Sequence, residues 1–160
     1  MKWMRPKVYL ETTIISYLTA RASQDLVVAA HQKLTTEWWI GHRSQFDLFA
    51  SGLVLKEAGD GDPQAAARRL AELSMISVLG LNEQVRELAK RFLESKVMPE
   101  KAVEDALHIA IATVHGMDYL LTWNCRHIAN AQIVRRLSEI CEDLGYELPT
   151  VCTPEQLMGD

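Results

Sequence analysis

Cysteine is scarce and odd in number. Cys125, Cys141 and Cys152 contain no C-x-x-C pair, which argues against a disulfide framework and leaves them as reduced, mostly buried thiols. Cys125-Arg126-His127 lacks the second ligand pair that a zinc site needs. Long apolar runs are also missing. None approaches the roughly 18 residues of a membrane span, and the opening MKWMRPKVYLETT turns polar at Glu11 before a signal-like stretch develops. The expectation is a cytoplasmic protein with no membrane association. Basic charge is not in excess: 17 Lys and Arg face 21 Asp and Glu, net −4. That argues against holding nucleic acid by bulk electrostatics. It leaves room for an enzyme that meets a phosphodiester at a metal. Repeats, low-complexity segments and linkers are absent.

What is present is an average soluble composition, 48% apolar and 24% charged over 160 residues. This excludes a disordered tail, a collagen-like fibre and a coiled coil. One domain spanning 1–160 is expected, long enough to bury roughly 70% of its unfolded surface.

Short apolar runs alternate with helical patterns. Strands are predicted at 7–10, 46–50, 75–79, 119–123 and 151–153. A helix follows the first strand, capped by Thr12 or Thr13. A second helix carries Leu26, Ala30, Leu34 and Trp38 as one stripe and ends at Gly41. Ser51 caps a helix to Ala58, Asp62-Pro63 opens another, and Asn82 opens the next. Pro99 opens a helix over 100–115 closed by Gly116, and a helix from about Asn130 stops at Gly145. A last turn of helix starts at Thr153-Pro154-Glu155. Strands separated by helices require crossovers, hence a mostly parallel sheet in a three-layer α/β/α domain.

In such sheets, sites form beyond the carboxyl ends of the strands. Glu11 follows the first strand, Asn124 follows the fourth, and Glu57 lies one to two turns into the helix after the second. Asp105 sits on a helix that is apolar nearly all round, with Ala102, Ala106 and Ile109 on its side, so burial is expected. A buried carboxylate needs a backbone donor, an Arg or a metal to compensate it. Three acids at one place repel one another, and a hard divalent ion resolves that repulsion. Carboxylate oxygens with retained waters suit Mg²⁺ or Mn²⁺.

The strings VYLETTIISYL (8–18), SGLVLKEAGDGDP (51–63), EDALHIAIATVHGMDYLLTWN (104–124) and CRHIAN (125–130) resemble the PIN-domain family, and within it the VapC-type ribonuclease toxins. The resemblance covers nearly the whole chain. It implies a metal-dependent endoribonuclease with a small parallel sheet and an acidic pocket at the carboxyl edge. It also implies a homodimer and an antitoxin partner. Glu11 then stands where the family has its first Asp, Glu57 on the family's Glu, and Asp105 on its third acid. Asn124 stands where many members have a fourth Asp. Thr122 takes a Thr/Ser position, and Thr13 supports the first acid. Glu11, Glu57 and Asp105 would hold one Mg²⁺ or Mn²⁺. Asn124 and Thr122 would position waters or the phosphate, and products would carry 5′-phosphate and 3′-hydroxyl ends.

Glu11 is one methylene longer than Asp, and Asn124 lacks a charge. Both favour the competing view of an inactive PIN-like module that binds RNA or protein. Glu104 points about 100° away from Asp105 and reads as a rim residue. Single-stranded or structured RNA could be guided by Arg43, Arg126 or Arg135-Arg136, which read equally as a solvated face. His127 is a rim candidate for RNA contact. His108 is expected to pack on its helix and bond a backbone group. Trp38 belongs to the core. Trp39 faces a partner or packs under the connection to Phe46, and base stacking falls to Trp39 or Trp123. A response-regulator-like domain would need a phosphoacceptor Asp ending a central strand and a Lys ending a later one, and neither is present.

Overall fold

Continuous runs of β-branched, aromatic and other apolar residues such as Val8-Tyr9-Leu10 suit a pleated surface covered on both sides. The computed structural model describes residues 4–159; the first three residues of the opening segment and Asp160 lie outside it. Five strands, β1 (Lys7–Leu10), β2 (Asp47–Ser51), β3 (Ser77–Leu79), β4 (Tyr119–Leu121) and β5 (Thr150–Cys152), pair in the order β3-β2-β1-β4-β5. Every pairing is parallel. The helices are α1 (Thr12–Thr19), α2 (Leu26–Gly41), α3 (Gly52–Ala58), α4 (Pro63–Leu73), α5 (Glu83–Glu94), α6 (Val103–Val114) and α7 (Ala131–Asp143). Successive side chains of a strand point to opposite faces. Val8, Tyr9 and Leu10 are all fully buried, so helices cover both faces of the centre. This is the expected three-layer α/β/α architecture.

The punctuation residues act as their chemistry dictates. Ser51, Asp62, Asn82 and Asn130 each accept backbone N–H groups at a helix start. Gly116 and Gly145 take φ of 71° and 81°, a left-handed conformation that only glycine adopts without strain.

Three expectations need correction, and one alternative is decided. Thr12 and Thr13 do not cap α1; Glu11 does, accepting from the Thr13 N–H. Leu26 and Ala30 are exposed, and the buried face of α2 is Thr35, Trp38 and Trp39. Periodicity marks a helix face without saying whether anything covers it. Of the readings for Trp39, packing under the connection to Phe46 holds, while exposure to a partner or a base does not: it is 8% exposed, with the Arg43 guanidinium 4.2 Å above its ring. Finally, α6 begins at Val103, because the Pro99 carbonyl accepts from the Ala102 N–H in a tight turn (2.9 Å). Asp105 therefore lies in the first turn of α6, with its side chain 23% exposed rather than sealed in the core.

Candidate active site

Parallel pairing aligns the carboxyl ends of β2, β1 and β4. At that edge stand the last residue of β2 (Ser51), the first after β1 (Glu11) and the first after β4 (Thr122). The Glu11 N–H donates to the Leu121 carbonyl (3.1 Å), which extends the ladder by one step and sets Glu11 beside Thr122. Both side chains are buried.

Glu11 is compensated by short polar contacts. Its Oε1 accepts from the Thr13 hydroxyl (2.5 Å) and the Thr122 hydroxyl (2.6 Å), and its Oε2 from the Thr13 N–H (3.2 Å). Those hydroxyls are themselves oriented. Thr13 Oγ1 accepts from the Trp123 N–H (2.9 Å), and Thr122 Oγ1 from the Asn124 N–H (2.9 Å). The amino end of α1 adds a favourable dipole for the carboxylate.

Glu57 approaches from α3. Its Oε1 accepts from the Thr12 hydroxyl and from His108 Nε2, each at 2.6 Å. Burial pushes its carboxyl upward. The hydrogen bonds of His108 and the Thr12 hydroxyl, with the charge of Lys56, outweigh burial and hold it below the ordinary 4.5. His108 is 1% exposed, and its Nδ1 lies 2.7 Å from the Tyr9 hydroxyl, which lies 2.9 Å from Ser51 Oγ. The expectation that His108 bonds a backbone group is therefore wrong: α6 turns it into the polar edge, where both nitrogens meet side chains. Burial raises the Tyr9 phenol far above its usual range, so it keeps its proton.

Ligand atoms of Glu11, Glu57 and His108 all lie within 4.8 Å of one another. Asp105 is not in this set. Its Oδ1 accepts from Asn124 Nδ2 (3.0 Å), and its Oδ2 lies 3.0 Å from His127 Nδ1. It joins the cluster through Asn124, whose N–H reaches Thr122. Asn124 Oδ1 accepts the His127 N–H (3.0 Å), which fixes the amide with its NH₂ toward Asp105. An Asp at 124 would set two carboxylates face to face at that separation; the amide turns repulsion into a hydrogen bond. Among the described residues, no Lys or Arg lies within 4.0 Å of Glu11, Glu57 or Asp105.

The peripheral candidates divide. Arg126, Arg135 and Arg136 are exposed, and Arg135 lines a cleft of about 550 Å³ with Cys125, Asn130 and Thr153. Arg43 packs on Trp39 just before β2, at the opposite end of the sheet, so it cannot guide a substrate to Glu11. Trp123 is unavailable for base stacking. It is 8% exposed, lies flat on His31 (4.0 Å, 10°) and donates from Nε1 to Thr35. His108, Tyr9, Ser51 and Thr12 were missed as site residues. Two signals could have found them: Tyr9 shares a strand face with Glu11, two residues on, and His108 lies one turn after Asp105.

No family model and no curated protein matches the chain. Solved structures do. A chain of VapBC2 from Rickettsia felis, bound to a DNA fragment from their promoter, matches with TM-score 0.60 and 14% identity, over 92% of this chain and 98% of that one. A chain of VapBC-1 from nontypeable Haemophilus influenzae matches with TM-score 0.57 and 16% identity, over 93% and 98%. The fold is that of the PIN-domain, VapC-type toxins. Mycobacterium tuberculosis VapC20, a Sarcin-Ricin loop cleaving toxin, has the same fold, with TM-score 0.54 and 16% identity over 74% of this chain and 91% of that one. The PIN-type topology places Glu11 and Glu57 at the carboxyl edge of the sheet, where open α/β folds hold their ligands.

Proposed function

We propose that this chain is a metal-dependent endoribonuclease that hydrolyses phosphodiester bonds of single-stranded or structured RNA. It acts in the cytoplasm as one domain, 1–160, paired as a homodimer and restrained by an antitoxin. The observation that carries this reading is the meeting of Glu11 and Glu57 at the carboxyl edge of a PIN-type sheet, with no Lys or Arg within 4.0 Å of either carboxylate among the described residues. Two carboxylates in one place favour a cation. The donors are hard oxygens, which fits Mg²⁺ or Mn²⁺.

Glu11, Glu57 and Asp105 would hold the ion, Asp105 through water. When bound, it supplies Lewis-acid polarisation of the phosphate and a water of lowered pKa. Thr13 and Thr122 hold Glu11 in place. Glu57 or Asp105 would take the proton of the attacking water as the P–O3′ bond breaks, and a solvent water would protonate the departing O3′, leaving a 5′-phosphate and a 3′-hydroxyl. Asn124 orients Asp105. Arg126, Arg135 and His127 would offer contacts to the RNA backbone.

The test is RNA cleavage in Mn²⁺ by wild type, Glu57→Gln and Asp105→Asn. Loss of a proton acceptor costs about 100-fold or more. Variants that cleave like wild type would reject the assignment. The engagement of Asp105 by Asn124 and His127 favours the second reading, an inactive module. A wild type that binds Mn²⁺ and RNA without cutting would establish it.

A further inference from the structure

His108 belongs to the compact set of ligand atoms, yet its geometry differs from that of a ligand. Ligands about 2.1 Å from an octahedral ion stand about 3 Å apart. His108 Nε2 and Glu57 Oε1 are 2.6 Å apart, the separation of a charge-assisted hydrogen bond. A carboxylate oxygen only accepts, so the proton between them belongs to Nε2.

The other ring nitrogen is read the same way. A neutral ring protonated at Nε2 has a bare Nδ1 that only accepts, so the hydrogen between Tyr9 and Ser51 comes from Ser51, whose Oγ also accepts the Val54 N–H (3.2 Å). Tyr9 then donates to His108 Nδ1. The chain runs Val54 to Ser51 to Tyr9 to His108 to Glu57, with every donor matched to an acceptor. Its members come from α3, β2, β1 and α6, so it ties the covering helices to the centre of the sheet. With the Thr12 hydroxyl, His108 occupies Oε1 of Glu57. No protein donor among the described residues reaches Oε2.

We propose that His108 is a positioning residue, not a metal ligand: held as the Nε2–H tautomer by Ser51 and Tyr9, it takes up Glu57 Oε1 and leaves Oε2 for the cation. This rests on the metal site of the proposed nuclease. Outer-shell partners of this kind typically carry about 10–100-fold in metal affinity.

The experiment has two parts. Ring ¹⁵N signals of His108 are read in metal-free protein and during Mg²⁺ titration. Mn²⁺ affinity is then measured by electron paramagnetic resonance for wild type, His108→Ala, His108→Gln and Tyr9→Phe. Nε2 should be protonated, Nδ1 bare, and neither should change character with Mg²⁺. Mn²⁺ should bind about 10-fold more weakly or worse to His108→Ala, with partial recovery in His108→Gln, whose amide N–H can reach Glu57. Tyr9→Phe should lose the single tautomer and weaken Mn²⁺ binding. A bare Nε2, or one that loses its proton to Mg²⁺, makes His108 a ligand and overturns the proposal. Equal Mn²⁺ affinity in His108→Ala and wild type overturns it too. A wild type that binds no Mn²⁺ refutes the metal site itself, and the positioning role with it.

Discussion

Glu11→Gln separates the charge of the first acid from its shape. In the native chain three donors converge on that carboxylate, which is 4% exposed. The donors are directional: backbone N–H groups of Trp123 and Asn124 occupy the acceptor sides of Thr13 and Thr122. A Gln amide must point its NH₂ either at the two hydroxyls or at the Thr13 N–H. One buried donor is then poorly matched, at about 1–3 kcal/mol. Relief of repulsion with Glu57 works the other way. We expect the donors to dominate, because they already compensate Glu11. In EDTA the variant should melt lower by about 2–4 °C per kcal/mol lost. Mn²⁺ at 100 times its dissociation constant should add about 2.7 kcal/mol to the wild type and little to the variant. Calorimetry in EDTA and in Mn²⁺ reads both effects. An equal Mn²⁺ gain in the two proteins would refute Glu11 as a ligand. A more stable variant in EDTA would refute its compensation by the threonines.

Asn124→Asp should lower stability in EDTA, since two carboxylates would then face each other across the 3.0 Å now bridged by an amide; Mn²⁺ should restore much of the loss, as melting curves will show. Glu57 titrates below 4.5 in the folded chain, so below about pH 5 the unfolded chain binds more protons and stability falls with pH until the folded group protonates as well. Glu57→Gln should flatten that part of the denaturation profile. Cys125 is exposed, while burial pushes Cys141 and Cys152 up to about 11. A thiol reagent at neutral pH should therefore modify one cysteine in native protein and three after denaturation, counted by mass spectrometry.

Sheet and helices were legible because each carries a local rule. A short apolar run ending at an acid marks β1, side-chain oxygens mark the starts of α3, α4, α5 and α7, and glycines mark the stops of α6 and α7. Glu11, Glu57 and Asn124 were legible from where they stand relative to strand ends. The partners of these acids were not. His108 lies 51 residues from Glu57, and Tyr9 lies 99 from His108; no local pattern reports which hydroxyl meets which ring nitrogen across that span. Trp39 stood between two readings for the same reason. A helical angle places it on a face, and only the return of the chain through Arg43 covers it.

By itself, then, the order of residues determined the layered α/β scaffold and the edge at which its acids gather, because strand and helix periods are properties of neighbouring residues. The tertiary structure alone decided that Glu57 pairs with His108, and that Asp105 stands with Asn124 and His127 outside the tightest cluster. Hydrogen bonds act over about 3 Å, and a contact so short is settled only when α3, α6 and the ends of β1 and β4 have packed into place.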